Sequence, residues 1–258
     1  MSPFTPAQEA ALRSLLALWG HDHVVLVGGA ALGALTAMTW RTTKDIDLLV
    51  TAEPAEATRQ LAAHPGWTKD PVHEPRWMFR GEVAADIIPV DPASVASDRI
   101  VWPESGAAMS TEGLELARAL AAPLALSSGG TVRVAPMPVI VLLKMVSFLD
   151  RPHDRVRDLA DIAWSLHDYV PDADERRFDL PFGALGIEFD QGSSYLMGAE
   201  LRAIAADHEA LVDHFVRAVE GGWIDTMALG APTAWRRDPA ELRRQLRAFR
   251  LGFDGAPH

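Results

Sequence analysis

The sequence predicts an α+β fold followed by a mostly helical second half, and two observations carry that prediction. Up to about residue 135, short apolar runs alternate with glycine-bearing turns and amphipathic stretches. After Pro136, apolar residues recur at helical spacing almost to the C-terminus. A core domain over 1–135 and a helical domain over 136–258 are therefore expected. No internal repeat or low-complexity segment interrupts either half.

Residues 6–19 read as a helix, with Thr5 as N-cap and Pro6 at the first helical position. "VVLV" at 24–27 is a short buried strand. Gly28-Gly29 then turns into a short helix through about Ala37, and a second strand runs from Asp45 to Val50. "PAEATRQLAAHPGW" follows as a helix. "RWMFRGEVAADIIPVD" reads as a hairpin, Trp77–Phe79 and Val83–Val90, joined at Arg80-Gly81. "LALSSGGTVRVAP" repeats that logic with Leu124–Leu126 and Thr131–Val134 about a Ser-Ser-Gly-Gly turn. Beyond it lie an apolar helix with Pro138 near its start and a second helix striped by Val156, Leu159, Ala160, Ala163, His167 and Val170. The stretch from about 172 onward is largely helical.

The composition bounds the function. With 258 residues and 48% hydrophobic content, the chain can bury a substantial core and is not a disordered one. It has no cysteine, which excludes disulfides, thiolate metal sites and cysteine nucleophiles and fits a cytoplasmic location. The N-terminus lacks the pattern of a secretory leader. The longest uncharged stretch, Val24 to Trp40, carries three glycines and two threonines, so it reads as turn and helix, and no membrane span is expected. A net charge of −11 argues against a general nucleic-acid binder, though a local basic patch remains compatible with RNA.

Asp45 and Asp47 sit one residue apart at the start of an apolar strand. Successive strand residues alternate faces, so the two carboxylates share one, roughly 7 Å apart. Their repulsion is relieved either by solvent at a turn or by a divalent ion such as Mg²⁺. Gly28-Gly29, between a strand and a helix, is either a tight turn or a concave anion site built of backbone N–H groups. Asp86, flanked by apolar residues in "VAADIIPV", needs a partner or a metal. It is preferred over Asp91, which reads as a cap of the following loop. Lys144 is the only charge from Met137 to Leu149, so it either snorkels outward or meets an anion.

Taken together, Gly28-Gly29, Arg41-x-Thr43-x-Asp45-x-Asp47 and a lone Asp86 in a later strand resemble the core signature of the polymerase-beta-type nucleotidyltransferase superfamily. "LLKMVSFLDRPHDRVRDLADIAWSL", with Lys144, Arg157, Asp158 and Asp161, is similar to the helical motif of its AbiEii-type members, toxins of type IV toxin–antitoxin and phage-defence systems. The likeness covers roughly residues 20–170. Gly29 stands where the superfamily often has serine, and Lys44 lies outside its pattern.

The resemblance implies a mixed sheet with flanking helices and a helical domain that closes over a nucleotide. It implies two Mg²⁺ (or Mn²⁺) ions on Asp45, Asp47 and Asp86, with Asp86 also the base on an acceptor hydroxyl. Gly28, Gly29, Arg41, Thr43 and Lys144 would contact the NTP, and Asp158 would orient Lys144 or the substrate. Asp161 is expected to pair with Arg157 on the surface at i,i+4. The acceptor would be RNA, plausibly a tRNA 3′ end, with a cognate antitoxin as partner. Two rivals stand beside this reading: a transferase acting on an aminoglycoside or lincosamide, which the acidic charge favours, and a non-catalytic nucleotide- or partner-binding module. The C-terminal "WRRDPAELRRQLRAFRLGF" is a basic amphipathic helix, either docked with a solvated face or contacting RNA or a partner.

Overall fold

The computed structural model describes residues 3–36, 43–230 and 237–255. The chain forms two compact units, one ending at Pro136 and the other beginning at Met137.

The first unit opens with α1 (Pro6–Trp19). Thr5 Oγ1 accepts from the Gln8 amide and Gln8 Oε1 accepts from the Thr5 amide, a capping box that fixes the helix start as expected. β1 (Val24–Val27) and β2 (Asp45–Val50) have the expected bounds. Between them, α2 (Gly28–Leu35) begins at Gly28, whose φ of +67° turns the chain from strand into helix. It stops at Leu35, short of Ala37. α3 (Pro54–Ala63) ends where Pro65-Gly66 cannot continue it. Trp67, expected at the end of that helix, instead starts β3 (Trp67–Lys69).

β4 (Arg76–Phe79) and β5 (Val83–Pro89) form the expected hairpin. Asp91 caps α4 (Pro92–Ala96), its Oδ1 accepting from the Ser94 amide at 2.9 Å. β6 (Arg99–Val101) and β7 (Ala108–Ser110) make a separate ribbon that the sequence pattern does not announce. After α5 (Leu114–Leu120) comes the second hairpin, β8 (Ala122–Ala125) and β9 (Thr131–Val134), its first strand two residues earlier than expected. Glu9 of α1, 2% exposed, holds the turn of that hairpin. It accepts from the Ser127 amide (2.9 Å), the Ser127 hydroxyl (2.7 Å) and the Ser128 amide (2.8 Å).

Seven strands pair in the order β3-β4-β5-β2-β1-β9-β8. β5/β2 and β1/β9 are parallel and the other neighbours antiparallel, which gives the expected mixed sheet of an α+β fold. β2 is the central strand. All four residues of β1 and four of six in β2 are buried, so the middle of the sheet is covered on both faces over most of its length.

The second unit is helical, as the spacing predicts. α6 (Met137–Asp150) packs on α7 (Val156–Asp168). α8 (Glu175–Phe178) and α9 (Phe182–Leu185) are single turns before α10 (Gly192–Ala205). α11 (Glu209–Ala218), α12 (Ile224–Leu229) and α13 (Pro239–Asp254) complete it. Phe148 of α6 meets Phe215 of α11 and Trp223 edge to face, with centroids 6.0 and 5.4 Å apart, an arrangement that suits the ring quadrupoles. Among the described residues no helix is long and apolar enough to cross a membrane.

Candidate functional site

β2 presents Asp45 and Asp47 on one face, while Ile46 and Leu48, on the other, have no exposed surface. β5 runs parallel beside it in a register that sets Asp86 next to Asp47 and Ala84 next to Asp45. Residues paired across neighbouring strands point to the same side, so all three carboxylates stand on one face. Along β5 the burial alternates: Val83, Ala85 and Ile87 are buried, and Asp86 lies on the half-buried side. Asp86 is thus less enclosed than its apolar neighbours in sequence suggest. Its side chain is 24% exposed and that of Asp45 is 37% exposed.

The partner that Asp86 requires is Arg76, which the sequence reading did not single out. β4 runs antiparallel to β5 with Arg76 directly opposite Asp86. Arg76 Nε and Nη2 donate to Asp86 Oδ1 and Oδ2 at 2.8 and 2.9 Å, and Nη2 also reaches Asp45 Oδ2 at 3.1 Å. This two-point grip on Asp86 is the fork geometry that makes arginine–carboxylate pairs strong. It raises the Arg76 pKa above its ordinary value against the cost of partial burial, and the charges of Asp86, Asp45 and Asp47 add to the effect. The only hint in the sequence is that Arg76 shares strand parity with Met78 and Arg80, on the side away from Trp77 and Phe79.

Gly28 is the second unexpected element. β1 pairs with β2 so that Val27 faces Asp47, and Gly28 follows with φ +67°. A Cβ at Gly28 would lie 2.6 Å from Asp47 Cγ and 2.8 Å from Asp47 Cβ. Both the backbone angle and the space demand glycine here. The glycine pair and the D-x-D pair, 17 residues apart by number, are therefore one steric unit. Gly29 is buried inside the first turn of α2, and the N-cap residue Val27 offers no side-chain cap to that turn. Thr43 is tied to α1, its carbonyl accepting from Gln8 Nε2 at 3.0 Å. Lys44 is exposed, as expected of a solvated flank. Arg41 lies outside the described residues.

The donors on this face are all carboxylate oxygens, the kind that suits Mg²⁺ or Mn²⁺. Among the described residues, however, no three His, Asp or Glu side chains are disposed to hold a metal ion. Arg76 supplies the positive charge between Asp45 and Asp86 instead.

In the second unit, Lys144 of α6 is 7% exposed and faces two aspartates of α7. Its Nζ lies 2.8 Å from Asp158 Oδ1 and 2.7 Å from Asp161 Oδ2. Asp158 is thus one of two carboxylates that pair with the Lys144 ammonium. Asp161 does not sit on the surface with Arg157: it is fully buried, Arg157 is exposed, and the three-residue spacing of Asp158 and Asp161 turns both towards α6. Burial alone would lower the Lys144 pKa, but the two carboxylates overcome it and hold the ammonium above its ordinary range. The structure thus gathers Gly28, Gly29, Asp45, Asp47 and Asp86 within the first unit, and Lys144 and Asp158 within the second.

No family model matches the chain, and no curated protein matches it. Among solved structures, it is similar to the antibiotic-resistance factor ANT(2'')-Ia, at 16% identity over 82% of this chain and 97% of that one, with a TM-score of 0.41. It is also similar to an antigenic nucleotidyltransferase-like protein from Paracoccidioides brasiliensis, at 19% identity over 80% and 88% of the two chains, with a TM-score of 0.40.

Two outcomes are expected from this geometry. Gly28→Ala should destabilise the protein by about 2 kcal/mol or more in urea unfolding, from left-handed strain plus the collision with Asp47. Adding Asp47→Gly should restore the collision part, so the two changes should be non-additive; strict additivity would refute the contact. Lys144→Met should cost about 3–5 kcal/mol at neutral pH, because it leaves two buried carboxylates without their cation. A raised lysine pKa means that this contribution is complete below the ordinary value of 10.5 and is lost as pH rises through the folded-state value. On the alkaline side, the stability gap between wild type and Lys144→Met should therefore persist to about pH 10 and shrink above it.

Proposed function

We propose that this protein is a metal-dependent nucleotidyltransferase that moves a nucleoside monophosphate from an NTP to an acceptor hydroxyl. The observation that carries the reading is the convergence of Asp45, Asp47 and Asp86 on one sheet face, with Asp47 packed against the first residue of α2. Bound Mg²⁺ or Mn²⁺ ions supply charge stabilisation to the attacking and leaving oxygens of an in-line displacement. Asp45 and Asp47 would hold the two ions, with Asp86 a ligand to one of them. The first-turn amides at Gly28 and Gly29 would meet the triphosphate, favoured by the positive end of the helix. Arg41 and Thr43 would add contacts to it. Asp86 would take the proton of the acceptor hydroxyl as the new O–P bond forms and the bond to pyrophosphate breaks, which requires it to release Arg76. Lys144, held by Asp158 and Asp161, would have to exchange one of them for a phosphate oxygen to contact the nucleotide.

RNA is the proposed acceptor, with a tRNA 3′ end as its reactive hydroxyl. The protein would then act in the cytoplasm as the toxin of a toxin–antitoxin or phage-defence system, with a cognate antitoxin as partner. One observation favours a second acceptor class: a net charge of −11 suits a cationic small molecule such as an aminoglycoside.

Incubation with Mg²⁺ and each α-labelled NTP in turn, with total RNA or an aminoglycoside as acceptor, separates these readings. Label should pass to RNA with release of pyrophosphate, and Asp47→Ala should abolish it. Label found only on the aminoglycoside selects the second acceptor, and no transfer together with no NTP binding ends the enzyme reading. Calorimetric titration with Mn²⁺ tests the metal assignment separately. Hydrogen bonds between charged groups contribute about 1.5–3 kcal/mol, so Arg76→Ala should bind Mn²⁺ about tenfold more tightly than wild type. Asp86→Asn should bind it more weakly. Identical titrations for all three proteins would contradict the assignment.

A further inference from the structure

The C-terminal helix of the second unit carries a feature that the transfer chemistry does not use. α13 buries Leu242, Leu246, Phe249 and Phe253 completely. α10 approaches it at two glycines, where a Cβ on Gly198 would come 2.9 Å from the Phe253 amide and one on Gly252 would come 2.9 Å from the Ala199 amide. With the apolar face closed in this way, the polar face of α13 and the neighbouring α11 line a groove of about 420 Å³. Arg243, Arg244, Arg247 and Arg250 project into it, beside Val216 and Leu251.

The four arginines differ in state. Arg250 is committed, with Nη2 2.9 Å from Asp213 and 2.7 Å from Asp254. Arg243, Arg244 and Arg247 are exposed and make no ion pair among the described residues. Glu220 is the one carboxylate in the groove lining, so three positive charges there face one negative. In a chain of net charge −11, that concentration of uncommitted guanidinium groups is a local inversion of sign. Arg243 and Arg247 are one turn apart, about 6 Å along the axis, and Arg244 and Arg247 also share a side of the helix. Guanidinium forks at such intervals match successive phosphates of one strand, each able to bind two oxygens of its phosphate.

We propose that this groove binds the phosphate backbone of single-stranded RNA. The groove lacks the aromatic anchors that concentrate binding energy in a protein interface. A membrane surface is disfavoured because the apolar face of α13, which would have to insert, is fully buried against its own unit. Val216 and Leu251 give the strand an apolar wall for its sugars and bases. The choice of RNA over other polyphosphates rests on the reading of RNA as acceptor.

The test is fluorescence anisotropy of a labelled 20-nucleotide single-stranded RNA, measured without NTP or metal from 50 to 200 mM KCl. A single strand releases about 0.7 counterion per phosphate neutralised, so losing three contacts should flatten the log–log salt slope by about 2. The R243Q/R244Q/R247Q variant, which keeps side chains of similar reach, should show that flattening and a loss of affinity of tenfold or more near 150 mM salt. R243A/R244A/R247A should behave alike, and both should melt at the wild-type temperature, since these side chains are exposed. Wild-type affinity and slope in both variants would overturn the proposal. So would binding of poly-glutamate or phosphatidylserine vesicles in place of RNA. Asp47→Ala should bind RNA as wild type does: lost transfer with binding intact counts against the catalytic reading only, and unchanged binding in the arginine variants counts against the groove only.

Discussion

Three carboxylates on one face of a parallel strand pair demand a cation, and much of the first unit is arranged around that demand. The alternation of β2 puts Asp45 and Asp47 together, and the register of β5 adds Asp86. The register of β4 brings Arg76 opposite Asp86, where one guanidinium spans two of the three acids. Arg76 thus links β2 and β5 through their acids. The apolar partners of the acids, Ile46, Leu48, Ala85 and Ile87, are all at most 2% exposed, so the strands that carry the charges are fixed by the core behind them.

The chain contains a second acid-rich cluster, and the two differ in burial. Lys144 with Asp158 and Asp161 places one positive charge against two negative. Its side chains are 8%, 13% and 1% exposed, and the ammonium is satisfied from both sides. A ligand could enter only by breaking buried ion pairs, which is costly. Asp45, Asp86 and Arg76 keep between a quarter and two fifths of their side-chain surface in solvent. Exchange of partners is cheap there because water compensates each group as it is released. The two clusters thus differ in exposure: one is sealed in the second unit, the other partly open to solvent in the first.

The parts of this arrangement that were legible in the sequence are those set by local rules. The cap at Thr5, the apolar periods of α6 and α7 and the alternation of β2 and β5 depend on neighbours in the chain. β3 went unread because three residues after Pro65-Gly66 form a strand only by pairing with β4. Arg76 went unread for the same reason: its partner is fixed by register across a hairpin, not by spacing along it. Asp161 was misread because the i,i+4 rule offers a surface partner and takes no account of the helix opposite. Gly28 was legible as a glycine that mattered, but its steric reason lies in the β1–β2 register, which brings Asp47 against its Cα.

The acids of the open face are not held alike, and that asymmetry gives the face a direction. Arg76 grips Asp86 through two hydrogen bonds of 2.8 and 2.9 Å but touches Asp45 through one of 3.1 Å. Release of Asp45 breaks one long bond, whereas release of Asp86 breaks the fork. Of the two acids that Arg76 holds, Asp45 is thus the more readily released. A positive charge arriving there would repel the guanidinium and weaken its hold on Asp86. On the proposed reading, the carboxylate that takes the acceptor proton is the last to be freed. On the same reading, the arginine that links the two strands would keep the base occupied until Asp45 and Asp47 have been engaged.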